Sequence, residues 1–249
     1  MAIAGIHNHH YWQDNPHWRF IFISLVVWLW LVLPSFVTEV SHHTTHSHTT
    51  DSAFNSHLLR IWHWQLMVLA MMLPLMSSAL RFVVYALPRY RRERSIFSFL
   101  LGYLFIWSLA GVVVELFDGL MLHTVFFTDF YRQLLGAVGF LAAGLWCFSY
   151  HRRKAMLSCG IGMPLRINGW RAYLDCIHYG LKMGLRCLSS CWHIMAALVI
   201  AGHSLILMAI FTVLLIYERA CLPAETKVLS YICILMSLLL TLKFLWFSI

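Results

Sequence analysis

Long runs of apolar residues constrain the fold of this chain more than any other feature. Two of them, residues 61–80 and 96–114, contain no Asp, Glu, Lys or Arg. Each is about as long as a helix must be to cross a hydrocarbon layer of roughly 30 Å. The chain of 249 residues is 61% hydrophobic and only 11% charged. These properties predict an all-α protein, a polytopic bundle of transmembrane helices.

The apolar pattern predicts about seven transmembrane helices. A tight turn at Gly202-His203-Ser204 divides the longest run into the fifth and sixth of them. Residues 1–17 form a segment before the first helix, and residues 18–249 form a single transmembrane domain. The predicted helices span about residues 18–37, 61–87, 96–117, 131–150, 179–201, 203–221 and 228–248.

The distribution of basic residues predicts the orientation of the chain. Lys and Arg exceed Asp and Glu by 18 to 10, and they cluster in residues 88–95 and 151–186. Basic loops stay on the cytoplasmic side, so the N-terminus is predicted inside and the C-terminus outside a bacterial or archaeal cytoplasmic (inner) membrane. The loops at 38–60 and 118–130 then face outward. Acidic lipid headgroups, rather than nucleic acid, are the expected partners of the positive charge.

One helical face in the fifth predicted span combines small residues with sulfur. Steps of three and four residues align Gly180, Gly184, Cys187, Cys191 and Met195. This face is called the sulfur stripe below. Thiolate and thioether ligands favour Cu(I), whereas small residues favour close contact between membrane helices. The stripe therefore predicts either a soft-metal site or a packing surface.

A second face, called the methionine face, lies on the second predicted span. It consists of His63, Met67 and Met71, spaced four residues apart. Such a ladder suits a soft metal, although methionines also fill helix interfaces without any metal. Pro74 follows this face and lacks a backbone N–H. It is expected to kink the helix and to open a carbonyl toward a neighbouring element.

The outer loop at residues 38–60, called the histidine loop, is rich in imidazoles. Its segment 41–50 contains His42, His43, His46 and His48 among serines and threonines. Imidazoles in such a segment can bind Cu(II), Zn or Ni weakly, and the alternative is an ordinary polar loop.

Two carboxylates lie within the predicted membrane spans, where charges are costly. Glu115 is predicted at the same depth as His63 and His203, and the three can converge on the external side as metal ligands. Glu218 lies near the inner end of the sixth span. For Glu218 we favour a simple ion pair, either with Arg219 or with a basic loop.

The remaining motifs exclude several activities. The chain contains no Walker-type glycine loop, no zincin motif and no redox Cys-x-x-Cys. Neither nucleotide-driven nor hydrolytic chemistry is predicted, and the protein is not expected to be an enzyme. Cys147, Cys221 and Cys233 are interpreted as small apolar residues rather than as parts of a disulfide framework.

Several motifs together make the chain resemble a known family. The motifs are Trp64-x2-Met67-x3-Met71-Met72-x-Pro74, Gly102-Tyr103-x3-Trp107, Gly180-x3-Gly184-x2-Cys187-x3-Cys191-Trp192-x2-Met195, and Glu218 followed by a basic residue. Over about residues 60–225 they make the chain similar to the predicted metal-binding integral membrane proteins that are also described as copper chaperones. Two positions depart from the usual pattern: Ser190 stands where the family commonly has a cysteine before Cys191, and Arg219 stands where it has Lys.

The resemblance implies copper handling, and it leads to our first hypothesis. The protein binds copper, as Cu(I), or relays it to a partner metalloprotein in the membrane. In this hypothesis the histidine loop collects the ion, the methionine face relays it, and Cys187, Cys191 and Met195 form a soft site nearer the cytoplasm.

A second hypothesis needs no metal at all. The chain would then be a non-catalytic structural subunit of a larger membrane complex, such as a copper-dependent monooxygenase or a respiratory oxidase. Its glycine and methionine faces would be contacts with other proteins. Comigration with a large complex and the absence of bound metal would favour this hypothesis over the first.

Overall fold

The computed structural model describes residues 17–40, 53–122, 129–159, 161–167, 169–201, 204–220 and 227–248. All regular structure in this part of the chain is helical, which confirms the predicted all-α class. Short 3-10 turns occur at Pro74–Met76 and Arg89–Arg91. The α-helices are α1 (His17–Val40), α2 (Ala53–Met72), α3 (Ser77–Ala86), α4 (Arg92–Leu122), α5 (Asp129–Cys147), α6 (Tyr150–Ser158), α7 (Arg171–Ile200), α8 (Leu205–Ala220) and α9 (Val228–Ser248).

Two helical stretches of the described residues are long and apolar enough to cross a membrane, Arg89–Phe117 and Arg171–Ile200. Two further candidates are bent pairs. Arg60–Met72 continues into Pro74–Ala86 with a bend of 50°, and Leu134–Cys147 continues into Tyr150–Ser158 with a bend of 69°. Length and composition thus give two to four candidate spans in the described residues, fewer than the seven that the sequence predicts.

The chain divides into two compact units. The first comprises the described residues of Met1–Gly102 and Gly162–Gly180, and the second those of Tyr103–Ile161 and Leu181–Ile249. The single transmembrane domain predicted over 18–249 stays a prediction.

In the first unit, Pro74 breaks the helix that contains the methionine face, as predicted. Proline has no N–H to donate to the carbonyl four residues earlier, so the carbonyl of Ala70 is released from the helix. Two side chains of α1 donate hydrogen bonds to this carbonyl in place of the missing backbone N–H. Ser24 Oγ donates to Ala70 O at 2.8 Å, and Trp28 Nε1 donates to it at 3.2 Å. The expected opening of a carbonyl toward a neighbouring helix is therefore confirmed.

In the second unit, α5 and α9 pack closely through small and polar residues. Ser230 Oγ donates to Gly144 O at 2.7 Å, and Ser237 Oγ donates to Ala137 O at 2.8 Å. A Cβ atom on Gly144 would lie only 2.8 Å from a side-chain carbon of Ile234. Glycine is therefore needed at this point of contact between the two helices.

Two helix boundaries differ from those predicted. The segment 151–186, expected to be a basic loop, contains α6, because Ser149 caps the helix by accepting a hydrogen bond from the backbone N–H of Arg152 at 3.2 Å. Helix α7 begins at Arg171, well before the predicted start at residue 179. The chain can therefore be helical in a segment that hydropathy alone assigns to a loop.

Candidate metal site

Two thiols of the sulfur stripe lie one helical turn apart on α7. Cys187 and Cys191 are separated by four residues of the same helix, so their side chains share one face. Only 2% and 4% of their respective surfaces are exposed. One turn of α7 therefore offers two adjacent sulfur atoms in an environment from which water is largely excluded.

A tyrosine from α4 reaches this thiol pair. Tyr103 Oη donates a hydrogen bond to Cys187 Sγ at 3.2 Å. The approach depends on Gly184, because a Cβ atom there would lie 2.9 Å from Ile106 Cβ and 3.2 Å from the carbonyl oxygen of Tyr103. Gly184 thus has the packing role predicted for a small residue of the stripe, and this packing brings Tyr103 to the cysteines.

Arg219 supplies positive charge to the same cluster. Its guanidinium interacts electrostatically with the thiols of Cys187 and Cys191, and it is hydrogen-bonded to Cys159. A nearby cation stabilises a thiolate relative to the thiol. The α8 helix therefore contributes the charge, while α7 contributes the sulfur atoms.

Cys159 lies directly after α6 and is almost fully buried. Arg186 fixes this turn by donating from Nη1 to Ser158 O at 2.8 Å. Burial raises the pKa of the Cys159 thiol, and Arg219 opposes this increase only in part. Burial therefore disfavours the thiolate form of Cys159.

A buried ion pair braces the turn that carries Cys191. Arg152 donates from Nη1 and Nη2 to the two carboxylate oxygens of Glu218, at 2.9 and 2.6 Å. The exposed fractions of the two side chains are 4% and 6%. Arg152 also donates from Nε to Ser190 O at 3.2 Å, and Ser190 Oγ lies 3.4 Å from Cys191 Sγ. The predicted pairing of Glu218 with the basic segment is confirmed, with Arg152 as its partner.

The other predicted ligands are placed as follows. Met195 is buried one turn beyond Cys191. In the first unit, Met67 and Met71 are fully buried and His63 is exposed. Glu115, on the part of α4 that belongs to the second unit, is half-buried. The predicted ligands His42, His43, His46, His48 and His203 lie outside the described residues. Convergence of His63, Glu115 and His203 accordingly stays a prediction.

Side chains of the described residues form no group of three or more His, Cys, Asp or Glu placed to hold one metal ion. Pairs of ligands are present instead. Paired thiols suit Cu(I) better than Zn²⁺, because structural zinc sites in proteins are almost always four-coordinate.

Several residues around the thiols could not be identified from the sequence pattern. Tyr103 occurs in a family motif, but it lies 84 residues from Cys187, and no spacing rule connects the two. In the sequence, Arg152 was recognisable only as one of the basic residues of segment 151–186. Cys147, interpreted as apolar filler, lies with its sulfur 3.5 Å from His193 Nε2.

The regular structure of the described residues is helical, and it places two buried thiols of α7 beside the arginine of α8. The chain matches the model of the PpoB2 family, described as copper chaperone, over residues 61–242. This match covers well over half of the chain, so the protein belongs to that family, and the resemblance stated from the motifs is confirmed. A comparison with curated proteins finds no match. A comparison with solved structures also finds none.

Proposed function

We propose that this protein is an integral membrane copper chaperone that binds Cu(I) through Cys187 and Cys191 and passes it to a partner metalloprotein. The observation that carries the proposal is the position of these two buried thiols, one turn apart on the same face of α7. Both cysteines lie within the region that matches the copper chaperone family.

The surroundings of the pair suit the charge of the loaded site. When Cu(I) replaces the two thiol protons, the bis-thiolate complex carries one negative charge. Burying such a charge without a counter-ion is costly. Arg219 interacts with both sulfurs and compensates for this charge, and Tyr103 donates a hydrogen bond to Cys187 Sγ.

A two-sulfur site also suits a protein that must release its cargo. A two-coordinate ion can accept an incoming ligand from a partner before either original bond breaks. Met195, buried one turn from Cys191, supplies a thioether that can take part in this exchange. The proposal therefore assigns Met195 to transfer rather than to tight binding.

We also propose a route by which copper reaches this pair. The histidine loop collects the ion, and the methionine face passes it onward, in a chain that crosses the membrane seven times with its N-terminus in the cytoplasm. The basic residues of segments 88–95 and 151–186 support this orientation. Replacing both Met67 and Met71 by Leu should slow copper loading without changing its stoichiometry, and an unchanged loading rate would remove the methionine face from the route.

The central test is an anaerobic titration of the reduced, detergent-purified full chain with Cu(I), in competition with the chelator bathocuproine disulfonate. The double variant Cys187→Ser, Cys191→Ser should bind one Cu(I) fewer per chain than the wild type. The single variant Cys176→Ser is a matched control, because Cys176 is a buried cysteine on the same helix that contacts Ser95 instead. Unchanged copper stoichiometry in the double variant would refute the assignment of the site.

A further inference from the structure

A cavity of about 650 Å³ lies beside the start of α4 in the first unit. Its volume falls within the range of about 300–1,000 Å³ that is usual for ligand-binding pockets. On α1, the lining residue Arg19 precedes Phe20 and Ile23, and on α4, Arg92 precedes Leu100. The lining therefore changes from charged to apolar along both helices. A ligand that matches it has a charged group at one end and hydrocarbon at the other.

Positive charge is in excess at the charged end of the cavity. Arg19, Arg89 and Arg92 provide three guanidinium groups, whereas Glu93 is the one acidic residue among the described residues of the lining. Arg19 Nη1 lies 3.2 Å from Glu93 Oε1, and this ion pair offsets one of the positive charges. The N-terminus of α4 adds further partial positive charge at this point. The cavity therefore favours an anionic ligand.

Arg92 presents a donor that suits such a ligand. Its Nε atom is buried and has no hydrogen-bond partner among the described residues. A buried donor without a partner is unfavourable, so its retention needs a reason. Guanidinium groups bind phosphate oxygens through planar, directed N–H donors. A phosphate group at this end of the cavity would satisfy the buried Nε.

The apolar part of the lining follows a candidate membrane span. The stretch Arg89–Phe117 is long and apolar enough to cross a membrane, and the cavity lies at its beginning. Arg92 and Leu100 are eight residues apart, which corresponds to about 12 Å along the helix axis. Ile23 and Phe97 of the lining are 45% and 67% exposed, so part of the apolar wall lies on the outer surface of the unit. A hydrocarbon chain in the bilayer can reach this wall.

From these observations we propose that the cavity binds one anionic phospholipid. Its phosphate interacts with Arg89 and Arg92, and the upper part of an acyl chain lies along Phe97 and Leu100. The inference rests on the proposed membrane location of the chain, but not on copper binding. Free phosphate has the same anionic chemistry, but it would leave the apolar lining without a partner. The lining therefore favours the lipid over the free ion.

The test measures which lipid the protein retains, by native mass spectrometry. The purified full chain in a non-ionic detergent is incubated with an equimolar mixture of dioleoyl phosphatidylglycerol and dioleoyl phosphatidylcholine. These lipids differ in the charge of the headgroup but not in their acyl chains. Wild-type protein should retain one phosphatidylglycerol molecule in preference to phosphatidylcholine. Equal retention of the two lipids would overturn the inference.

Substitution of the arginines tests the charged end of the cavity. Arg92→Gln should lower the preference for phosphatidylglycerol about tenfold, because a charge-assisted hydrogen bond to phosphate is lost. Arg94→Gln is the matched control, since it removes an equal charge from an exposed side chain of the same helix that does not line this cavity. Arg89→Gln, at an exposed position of the lining, repeats the test if circular dichroism shows that Arg92→Gln does not fold. An equal loss in the Arg92 and Arg94 variants would indicate diffuse attraction and contradict the site.

Two further measurements test the apolar end. Phe97→Ser should weaken retention of phosphatidylglycerol, whereas Phe105→Ser should not, because Phe105 is exposed on the same helix but lies outside the cavity. Millimolar inorganic phosphate should not displace the lipid from the wild-type protein. Displacement by phosphate, or equal retention by the two phenylalanine variants, would show a site for a free anion and refute the lipid assignment.

The lipid and copper proposals fail separately. The Cu(I) titration is carried out on lipid-free protein in detergent, and Arg92→Gln should leave its stoichiometry unchanged. A chain that binds Cu(I) through Cys187 and Cys191 but shows no lipid preference refutes only the lipid site. A chain that prefers phosphatidylglycerol but binds no Cu(I) refutes only the copper site.

Discussion

The buried ion pair between Arg152 and Glu218 gives the sharpest test of how the fold supports the proposed metal site. Glu218→Gln keeps the shape of the side chain but removes its charge, so the Arg152 guanidinium is left buried without its counter-ion. Two short hydrogen bonds, at 2.9 and 2.6 Å, join side chains that are only 4% and 6% exposed. Removing one partner of such a pair typically costs about 3–5 kcal/mol.

Equilibrium unfolding in mixed detergent micelles, followed by circular dichroism, measures this cost. A matched control is Glu93→Gln, which removes the partner of Arg19 from an exposed ion pair with a 3.2 Å separation. Exposed pairs contribute about 0–1 kcal/mol, so the control should unfold close to the wild type. The same Glu218→Gln protein should also bind Cu(I) more weakly, because Arg152 braces the turn at Ser190 that precedes Cys191.

The apolar double variant Arg152→Met, Glu218→Leu completes the experiment. It removes both charges together, so it should be more stable than Glu218→Gln alone. If Glu218→Gln changes the unfolding free energy no more than Glu93→Gln does, the ion pair does not carry the stability assigned to it. A double variant less stable than the single one would also refute the reasoning.

Two further predictions concern the thiol pair and its packing. Gly184→Ala should destabilise the protein by about 1–3 kcal/mol in the same unfolding assay, because its Cβ would lie 2.9 Å from Ile106 Cβ. Gly136→Ala is the control and should be neutral or slightly stabilising, since the nearest atom to its Cβ lies at an ordinary 3.5 Å. Ser190→Cys places a third sulfur beside Cys191 and should tighten Cu(I) binding about tenfold in chelator competition; an affinity equal to that of wild type would show that position 190 does not face the ion.

The sequence predicted the helical class, the family and the central cysteines, because each depends on local composition or spacing. Cys187 and Cys191 are four residues apart on one helix, so helical periodicity alone makes them neighbours. The contacts of Tyr103 with Cys187, and of His193 with Cys147, could not be predicted in this way. Their contacts join helices far apart in the sequence, and which helices pack together depends on the whole fold. Helix boundaries in the basic segment also differed from those predicted. The cap at Ser149 stabilises the start of α6, although the low hydropathy of this segment predicted a loop.

Pro74 shows where the contribution of the sequence ends and that of the tertiary structure begins. The missing N–H of proline is a covalent property, so the sequence by itself determined that the Ala70 carbonyl would be released and the helix bent. Only the tertiary structure decided that Ser24 and Trp28 of α1 would bind that carbonyl. The surroundings of the thiols are likewise determined partly by the sequence and partly by the tertiary structure. Local chemistry and helical spacing determine which sulfur atoms lie on one face, whereas packing between helices decides which charges, hydroxyls and imidazoles they meet.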